Sequence, residues 1–319
     1  MEILKLQPAG KDYLWGGTRL RYGKKIDLTP LAETWESSVH PDGPSIVANG
    51  PHKGKTLAEV LRLHQEYLGS KVKNGELPIL VKFIDAKKDL SVQVHPDDEY
   101  AREHEADNGK TEMWYVIDAE EGASLVYGFQ HKVTPKLLKK AIETGTLDKH
   151  LHKIKVRKGD VFYVPAGTVH GIGAGILIAE IQESSNVTYR VYDYNRVDKN
   201  GQKRELHFDK AVRVMDMRIV AENQQHHKII KYYPGCSREL LCRCQYFEVE
   251  RIQVNKAVSF SVRDQSFQVL MCLDGYGQIE TMGTGLKPVR FMKGETIFIP
   301  ANMGRCVVVG NAELIKIRC

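Results

Sequence analysis

The stretch "KGDVFYVPAGTVH" (158–170) recurs without a gap as "KGETIFIPANMGR" (293–305). Each copy runs Lys-Gly-acid, a short apolar strand, then a Pro-Ala turn. A strand entering a tight turn, used twice in one chain, is the mark of a duplicated β unit. The surrounding sequence agrees. From residue 240 onward the chain reads as short strands with glycine turns, and 153–183 and 186–194 read as strands, as do 77–86 and 112–129, the last with a turn between its two strands. Many short strands with Gly/Pro punctuation argue for a barrel or sandwich. The expected fold is therefore mainly β, two related β-barrels (jelly rolls) with a few helices. The first domain would cover 1–235, with added strands, helices and a polar connector over 195–235. The second would cover 240–319. Helices are expected at 56–69, where Thr56 can cap and Gly69 can stop, and at 134–151, where Pro135 suits a helix start. A shorter helical stretch is expected near 208–215. "YLWGGTRL" (13–20) and Gly275-Tyr276-Gly277 read as turns.

The two copies differ at their last residue, His170 in the first and Arg305 in the second. A histidine at the mouth of one barrel invites a search for partners. "LSVQVHPDD" (90–98) supplies them. Residues i and i+2 of a strand share a face, so Gln93 and His95 aim at one point. Glu112, entering the next strand, adds a carboxylate. Two imidazoles, a carboxylate and an amide oxygen suit Zn²⁺, and equally Fe²⁺, Mn²⁺, Co²⁺ or Ni²⁺. Two nitrogens are the wrong hardness for Ca²⁺. Taken singly, each residue has a plainer reading as a surface, capping or turn residue; the combination makes the site. The second copy has no such set and is expected to hold no metal. His104, His152, His207 and the pair His226-His227 fit no ligand pattern and read as surface residues.

Composition bounds the rest. The chain has 319 residues, 42% hydrophobic and 27% charged, with a net charge of +6. That is an ordinary globular composition. The basic residues are dispersed, so no nucleic-acid patch stands out. A slight positive balance would suit a small anionic substrate, although a solvated surface explains it as well. No signal peptide pattern opens the sequence, and no apolar run approaches the roughly 18–20 residues of a membrane span. Six cysteines are too sparse for a disulfide scaffold and read as free thiols. A cytoplasmic protein with no membrane or nucleic-acid partner is the expectation.

Several longer segments carry a resemblance: "YLWGG" (13–17), "AETWESSVHPDG" (32–43), "LSVQVHPDD", "GKTEMWYV" (109–116) and "VPAGTVHGIGAGILIAEIQESSNVTYRVYDYNR" (164–196). With the degenerate second unit, the chain resembles the type I phosphomannose isomerases of the shorter bacterial form, within the cupin superfamily. Gln93-x-His95, in place of the commoner cupin His-x-His, is itself a family mark. The resemblance implies one zinc per chain held by Gln93, His95, Glu112 and His170. It implies catalytic roles for Arg190 and Lys110, with Ser91 and Glu180 as other pocket residues. Glu180 is the candidate proton carrier; its plainer reading is a charge on an edge strand. For a hexose phosphate substrate, the phosphate contacts retained are Lys110 and Arg190. Lys82, Lys87 and Lys88 read as solvated charges. The implied reaction is interconversion of mannose-6-phosphate and fructose-6-phosphate by proton transfer between C1 and C2 through a cis-enediol. The competing readings are an iron-dependent cupin oxygenase and a non-catalytic sugar-phosphate-binding cupin. The longer family members carry a larger helical insertion, so pocket walls built there need not transfer.

Overall fold

The structure, a computed structural model, describes residues 1–22, 26–197, 201–219 and 228–319. The pair His226-His227 lies outside them. The chain is mainly β. Its strands are β1 (Leu4–Gln7), β2 (Ala9–Lys11), β3 (Glu33–Ser37), β4 (Ile46–Val47), β5 (Ile79–Ala86), β6 (Val92–Val94), β7 (Glu112–Ala119), β8 (Ser124–Phe129), β9 (Leu151–Lys155), β10 (Val161–Val164), β11 (His170–Gly171), β12 (Ile176–Glu183) and β13 (Tyr189–Tyr192). The last third continues with β14 (Ile230–Tyr233), β15 (Cys236–Arg243), β16 (Glu248–Val254), β17 (Ala257–Val262), β18 (Gln268–Thr281), β19 (Val289–Met292), β20 (Thr296–Ile299) and β21 (Gly304–Arg318). Helices are α1 (Leu57–Leu63), α2 (Asp98–His104), α3 (Pro135–Glu143) and α4 (Phe208–Val214).

The repeat is visible in the backbone. β10 and β20 are its two strands, and β11 and β21 begin at its two ends. Gly159 and Gly294, at matching places, both have φ above +80°. Gly167 and its counterpart Asn302 both sit in the left-handed region, which glycine and asparagine tolerate best. The expected barrels are jelly rolls of open sheets and not closed cylinders. In the first unit a six-stranded sheet, β10-β7-β12-β5-β3-β2, faces a five-stranded one, β13-β6-β11-β8-β9. In the second, one ten-stranded sheet folds over an apolar core that includes Ile252, Phe260, Leu270, Ile279 and Leu314. Its two long strands do the folding. β18 pairs with both β20 and β19, and a register shift between Cys272 and Asp274 lets it bend. Gly275-Tyr276-Gly277 lies inside β18 and is not a hairpin turn, a correction to the expectation.

The six-stranded sheet is covered on both faces, which explains why every residue of β5 is buried. On β7, Trp114 and Val116 pack into the first sandwich, while Met113 and Tyr115 join Val81, Phe83 and Ile181 against Val249, Phe267, Met271 and Ile315 of the second unit. Hydrogen bonds help fix the seam, among them Tyr115 Oη donating to Glu313 Oε1 at 3.0 Å and Thr296 Oγ1 donating to Glu36 Oε2 at 3.0 Å. Sheet pairing also crosses the expected boundary. β1 lies between β20 and β4, so residues 4–7 and 46–47 extend the second unit's sheet.

Local signals set the helices. Thr56 and Glu59 form a reciprocal capping box at α1, which then tightens into a 3₁₀ turn at Gln65–Tyr67. The helix expected over 134–151 stops at Glu143, because Thr144 caps it and Gly145 turns left-handed (φ +65°). The remaining residues form a 3₁₀ turn and β9. α2 was not anticipated; Asp97, right after Pro96, caps it by accepting from Tyr100 N. β14 likewise falls within the stretch read as connector.

Candidate metal centre and active-site cavity

Register aims the site residues. On the five-stranded sheet, Gln93 of β6 lies opposite His170 of β11 on one side and opposite Arg190 of β13 on the other. Cross-strand partners point the same way. On the facing sheet, Trp114, Glu180 and Lys82 are neighbours in one row, with Trp35 next to Lys82. Alternation along β7 puts Glu112 on the same face as Trp114. The two rows meet between the sheets.

His95 Nε2 stands 3.2 Å from Glu112 Oε1, and His170 Nε2 stands 3.7 Å from Glu112 Oε2. These side chains are buried, and the three ligand atoms lie within 4.8 Å of one another. The outer nitrogens are committed. His95 Nδ1 is 2.9 Å from Val187 O and His170 Nδ1 is 2.9 Å from Thr168 O. A carbonyl only accepts, so each Nδ1 carries the proton and each Nε2 turns a lone pair inward. This is the orientation that carbonyl partners impose on metal-ligating histidines. Gln93 Nε2 lies 3.3 Å from His170 Nε2, and rotating the amide places its oxygen there.

Buried acceptors facing one another are costly unless a cation lies among them. Lys110 supplies one positive charge, with Nζ 2.9 Å from Glu112 Oε1 and 3.3 Å from His95 Nε2. Yet Glu112 Oε1 has no well-directed hydrogen bond. Burial, then the charge of Lys110, pushes His95 down to about 3, so the imidazole stays neutral. Burial would raise Glu112, but Lys110 and the neighbouring histidines hold it well below the ordinary carboxylate range. Two neutral imidazoles and an ionised carboxylate are the donor set of a transition-metal site. His95, Glu112 and His170, with the Gln93 amide, fit such an ion.

Beside this cluster lies a cavity of about 260 Å³, whose wall includes Gln93, Lys110, Glu180, Lys82, Arg190 and Arg204. Trp114 Nε1 donates to Glu112 Oε2 at 3.1 Å and to Glu180 Oε2 at 2.9 Å, tying the two carboxylates together through one N–H. Glu180 Oε1 is 3.2 Å from Lys82 Nζ, and Glu33 Oε2 is 3.9 Å from the same nitrogen. Burial works to strip the proton from Lys82, but Glu180 and Glu33 keep it on. Burial and the charge of Glu112 raise Glu180 against the pull of Lys82. Glu180 is therefore the member of the pair that can take a proton.

Glu180 sits on an inner strand, not an edge. Lys82 is 4% exposed and lines the cavity, so its reading as a solvated charge is corrected. Lys110 is drawn into the ligand cluster, away from any distant phosphate. Arg190 lines the cavity; its Nη1 donates to Glu205 O at 2.8 Å and its backbone N–H to His207 Nδ1 at 3.1 Å. His207 is thus a partner of the site and not a plain surface residue. Ser91 is buried just before β6 and is not among the residues lining the cavity. Glu33, Tyr13, Trp15 and Arg204 line it and were not anticipated. Lys82 had a signal: a charge in the middle of the apolar run Ile79–Ile84 needs a buried partner.

Residues 3–125 match the profile of the phosphomannose isomerase type I catalytic domain, and residues 238–319 that of the mannose-6-phosphate isomerase cupin domain. Mannose-6-phosphate isomerase ManA of Bacillus subtilis is 38% identical over 317 residues, covering 98% of each chain. Mannose-6-phosphate isomerase of Streptococcus mutans is 39% identical over 316 residues, covering 98% of this chain and 97% of its own. The crystal structure of the mannose-6-phosphate isomerase from Bacillus subtilis superposes with a TM-score of 0.91 at 37% identity, over 99% of each chain. A phosphomannose isomerase from Salmonella typhimurium, at TM-score 0.77 and 16% identity over 99% of each chain, shares the fold.

Proposed function

This chain belongs to the type I phosphomannose isomerases, and on that premise we propose that it interconverts mannose-6-phosphate and fructose-6-phosphate. One zinc ion per chain would be held by His95, Glu112, His170 and the amide oxygen of Gln93. When bound, such an ion supplies Lewis-acid stabilisation of charge on the sugar oxygens without changing oxidation state.

The protein's own groups do the rest. The carboxylate of Glu180 takes the C2 proton of the open-chain aldose, leaving an enediolate, and returns a proton to C1. Lys110, beside the ligand cluster, is placed to pass the O2 proton to O1. Arg190, across from Gln93, puts a fixed positive charge where the enediolate forms. Lys82 anchors Glu180, and burial keeps that carboxyl basic enough to accept a proton from carbon. The observation that carries this reading is the indole of Trp114, which holds a metal-ligating carboxylate and a proton-accepting one in fixed relation. The oxygenase and the non-catalytic readings lack comparable support, because the full-length relatives carry isomerase names.

A coupled assay for fructose-6-phosphate formed from mannose-6-phosphate, with and without chelator, tests the proposal. Absence of turnover, or turnover indifferent to metal removal, would end it. Elemental analysis should find one transition metal per chain. Among the described residues, the second unit offers no group of three ligands, and Arg305, the counterpart of His170, is exposed. Anomalous scattering that placed a metal within 240–319 would contradict this stoichiometry. Arg190→Ala should lower kcat by about 10²–10³ and move KM much less, as expected for a donor that acts on transition-state charge. A change in KM alone would make Arg190 a ground-state binding residue.

A further inference from the structure

This inference rests on the isomerase reading and concerns the far end of its substrate. The phosphate of a hexose 6-phosphate is four carbons from the reacting pair, so the ligand cluster and Lys110 cannot also receive it. The cavity floor has little charge to offer: Lys82 and Lys110 are met by Glu33, Glu112 and Glu180. The wall is different. Arg204 lines the cavity together with Arg190, Tyr13, Asn186 and Thr188.

Asp193, itself buried, aims Arg204. The Arg204 guanidinium donates to it in a fork, Nε at 2.8 Å to Oδ2 and Nη2 to Oδ1. Arg196 also donates to Asp193. One carboxylate is thus shared by two guanidiniums, and its charge is spent on holding both. Among the described residues, Nη1 of Arg204 has no partner. Arg190, on the same wall, has a buried Nε with none. The wall therefore presents oriented donors and the three guanidiniums of Arg190, Arg196 and Arg204, with buried Asp193 and the exposed Glu205 as the acids beside them. Burial and then the neighbouring charge of Arg204 lower the proton affinity of Arg190. Two guanidiniums lining one cavity are stabilised by an anion between them, and a phosphomonoester brings about −1.5 to −2 charges at pH 7.

We infer that Arg204, oriented by Asp193, is the clamp for the substrate phosphate. Arg190 then lies between the clamp and the ligand cluster, where the sugar chain runs. Asp193 is a positioning residue, because it reaches the substrate only through Arg204.

The test uses the metal-loaded protein and two probes, mannose-6-phosphate and inorganic phosphate. In Arg204→Ala, KM for mannose-6-phosphate should rise about 10- to 100-fold, the worth of one or two charge-assisted hydrogen bonds, while kcat stays within about threefold. Inorganic phosphate is expected to compete with the substrate in the wild type, and its inhibition should weaken in parallel. Arg204→Lys should recover part of both losses. Asp193→Asn should raise KM less than Arg204→Ala does. Unchanged KM and unchanged phosphate inhibition in Arg204→Ala overturn the clamp, as does a loss confined to kcat. Binding of inorganic phosphate, followed by calorimetry, separates this inference from the isomerase reading. Weaker phosphate binding in Arg204→Ala, with a wild type inactive on mannose-6-phosphate, supports the clamp and ends the isomerase reading. Equal binding in an active wild type and in the variant ends the clamp alone.

Discussion

His170→Ala is expected to yield a folded protein with no retained metal and no measurable turnover. The imidazole is buried, with Nδ1 fixed by Thr168 O and Nε2 turned toward Glu112. Its removal takes one of two nitrogens from the donor set, and no neighbouring side chain of the described set can replace it. Gln93 would lose the ring nitrogen it faces, and Trp114, whose ring centre lies 5.3 Å away, would lose an edge contact. Those losses are local. The β11 backbone pairing that holds residue 170 in the sheet involves no side chain. Loss of a residue that merely supports a ligand costs about 10- to 100-fold in metal affinity or activity, and loss of a ligand itself should cost more. Elemental analysis, a circular dichroism melt and the coupled assay together decide the matter. A metal-replete or fully active His170→Ala protein would remove His170 from the site.

Glu180→Gln is expected to lower kcat by about 10²–10⁴ while leaving the metal in place, the range of a lost general base. The amide keeps the shape and can still accept from Trp114, and Lys82 keeps Glu33 as a second partner at 3.9 Å. What disappears is the proton affinity. The isotope experiment asks the same question of the wild type. Isomerisation in D₂O should place solvent deuterium at C1 of fructose-6-phosphate. Some internal return of the original hydrogen is compatible with a base shielded between two sheets. Complete retention of that hydrogen, in the wild type and in slowed variants alike, would instead point to a direct hydride shift from C2 to C1. A Glu180→Gln enzyme with normal kcat would move the base elsewhere on the cavity wall.

The parts of this site that were legible in the chain are those written locally. Gln93 and His95 are two apart on a strand, and the duplicate of 158–170 exposes His170 by lacking it. Glu112 was legible as the acid entering the strand that follows. Glu33, the partner of Lys82, and the clamp residue Arg204 were illegible for different reasons. Lys82 and Glu33 meet only because β3, β5 and β12 pair side by side across widely separated segments, and no local period announces a buried ion pair. Arg204 lies in a polar loop whose composition resembles any solvated linker; its orientation depends on Asp193, already folded into the sandwich. The open form of the sheets was equally hidden. Strand count and turns suggest closure, but β1 and β4 are drawn to β20, and no short-range pattern encodes that choice. Helix ends were clear where a side chain caps them, as at Thr56, and misread where a short 3₁₀ turn continued an apolar pattern beyond Glu143.

The pairing of β1 with β20 has a bearing on the order of biosynthesis. A ribosome delivers Leu4–Gln7 long before its partner strand Thr296–Ile299. Throughout that interval the first strand waits as an open edge. Once β5, β7 and β12 have paired, the outer face of their sheet shows Val81, Phe83, Met113 and Tyr115 to water until the last third arrives. The strands β20 and β21 thus act as a late latch, the first pairing with β1 and the second packing against that outer face.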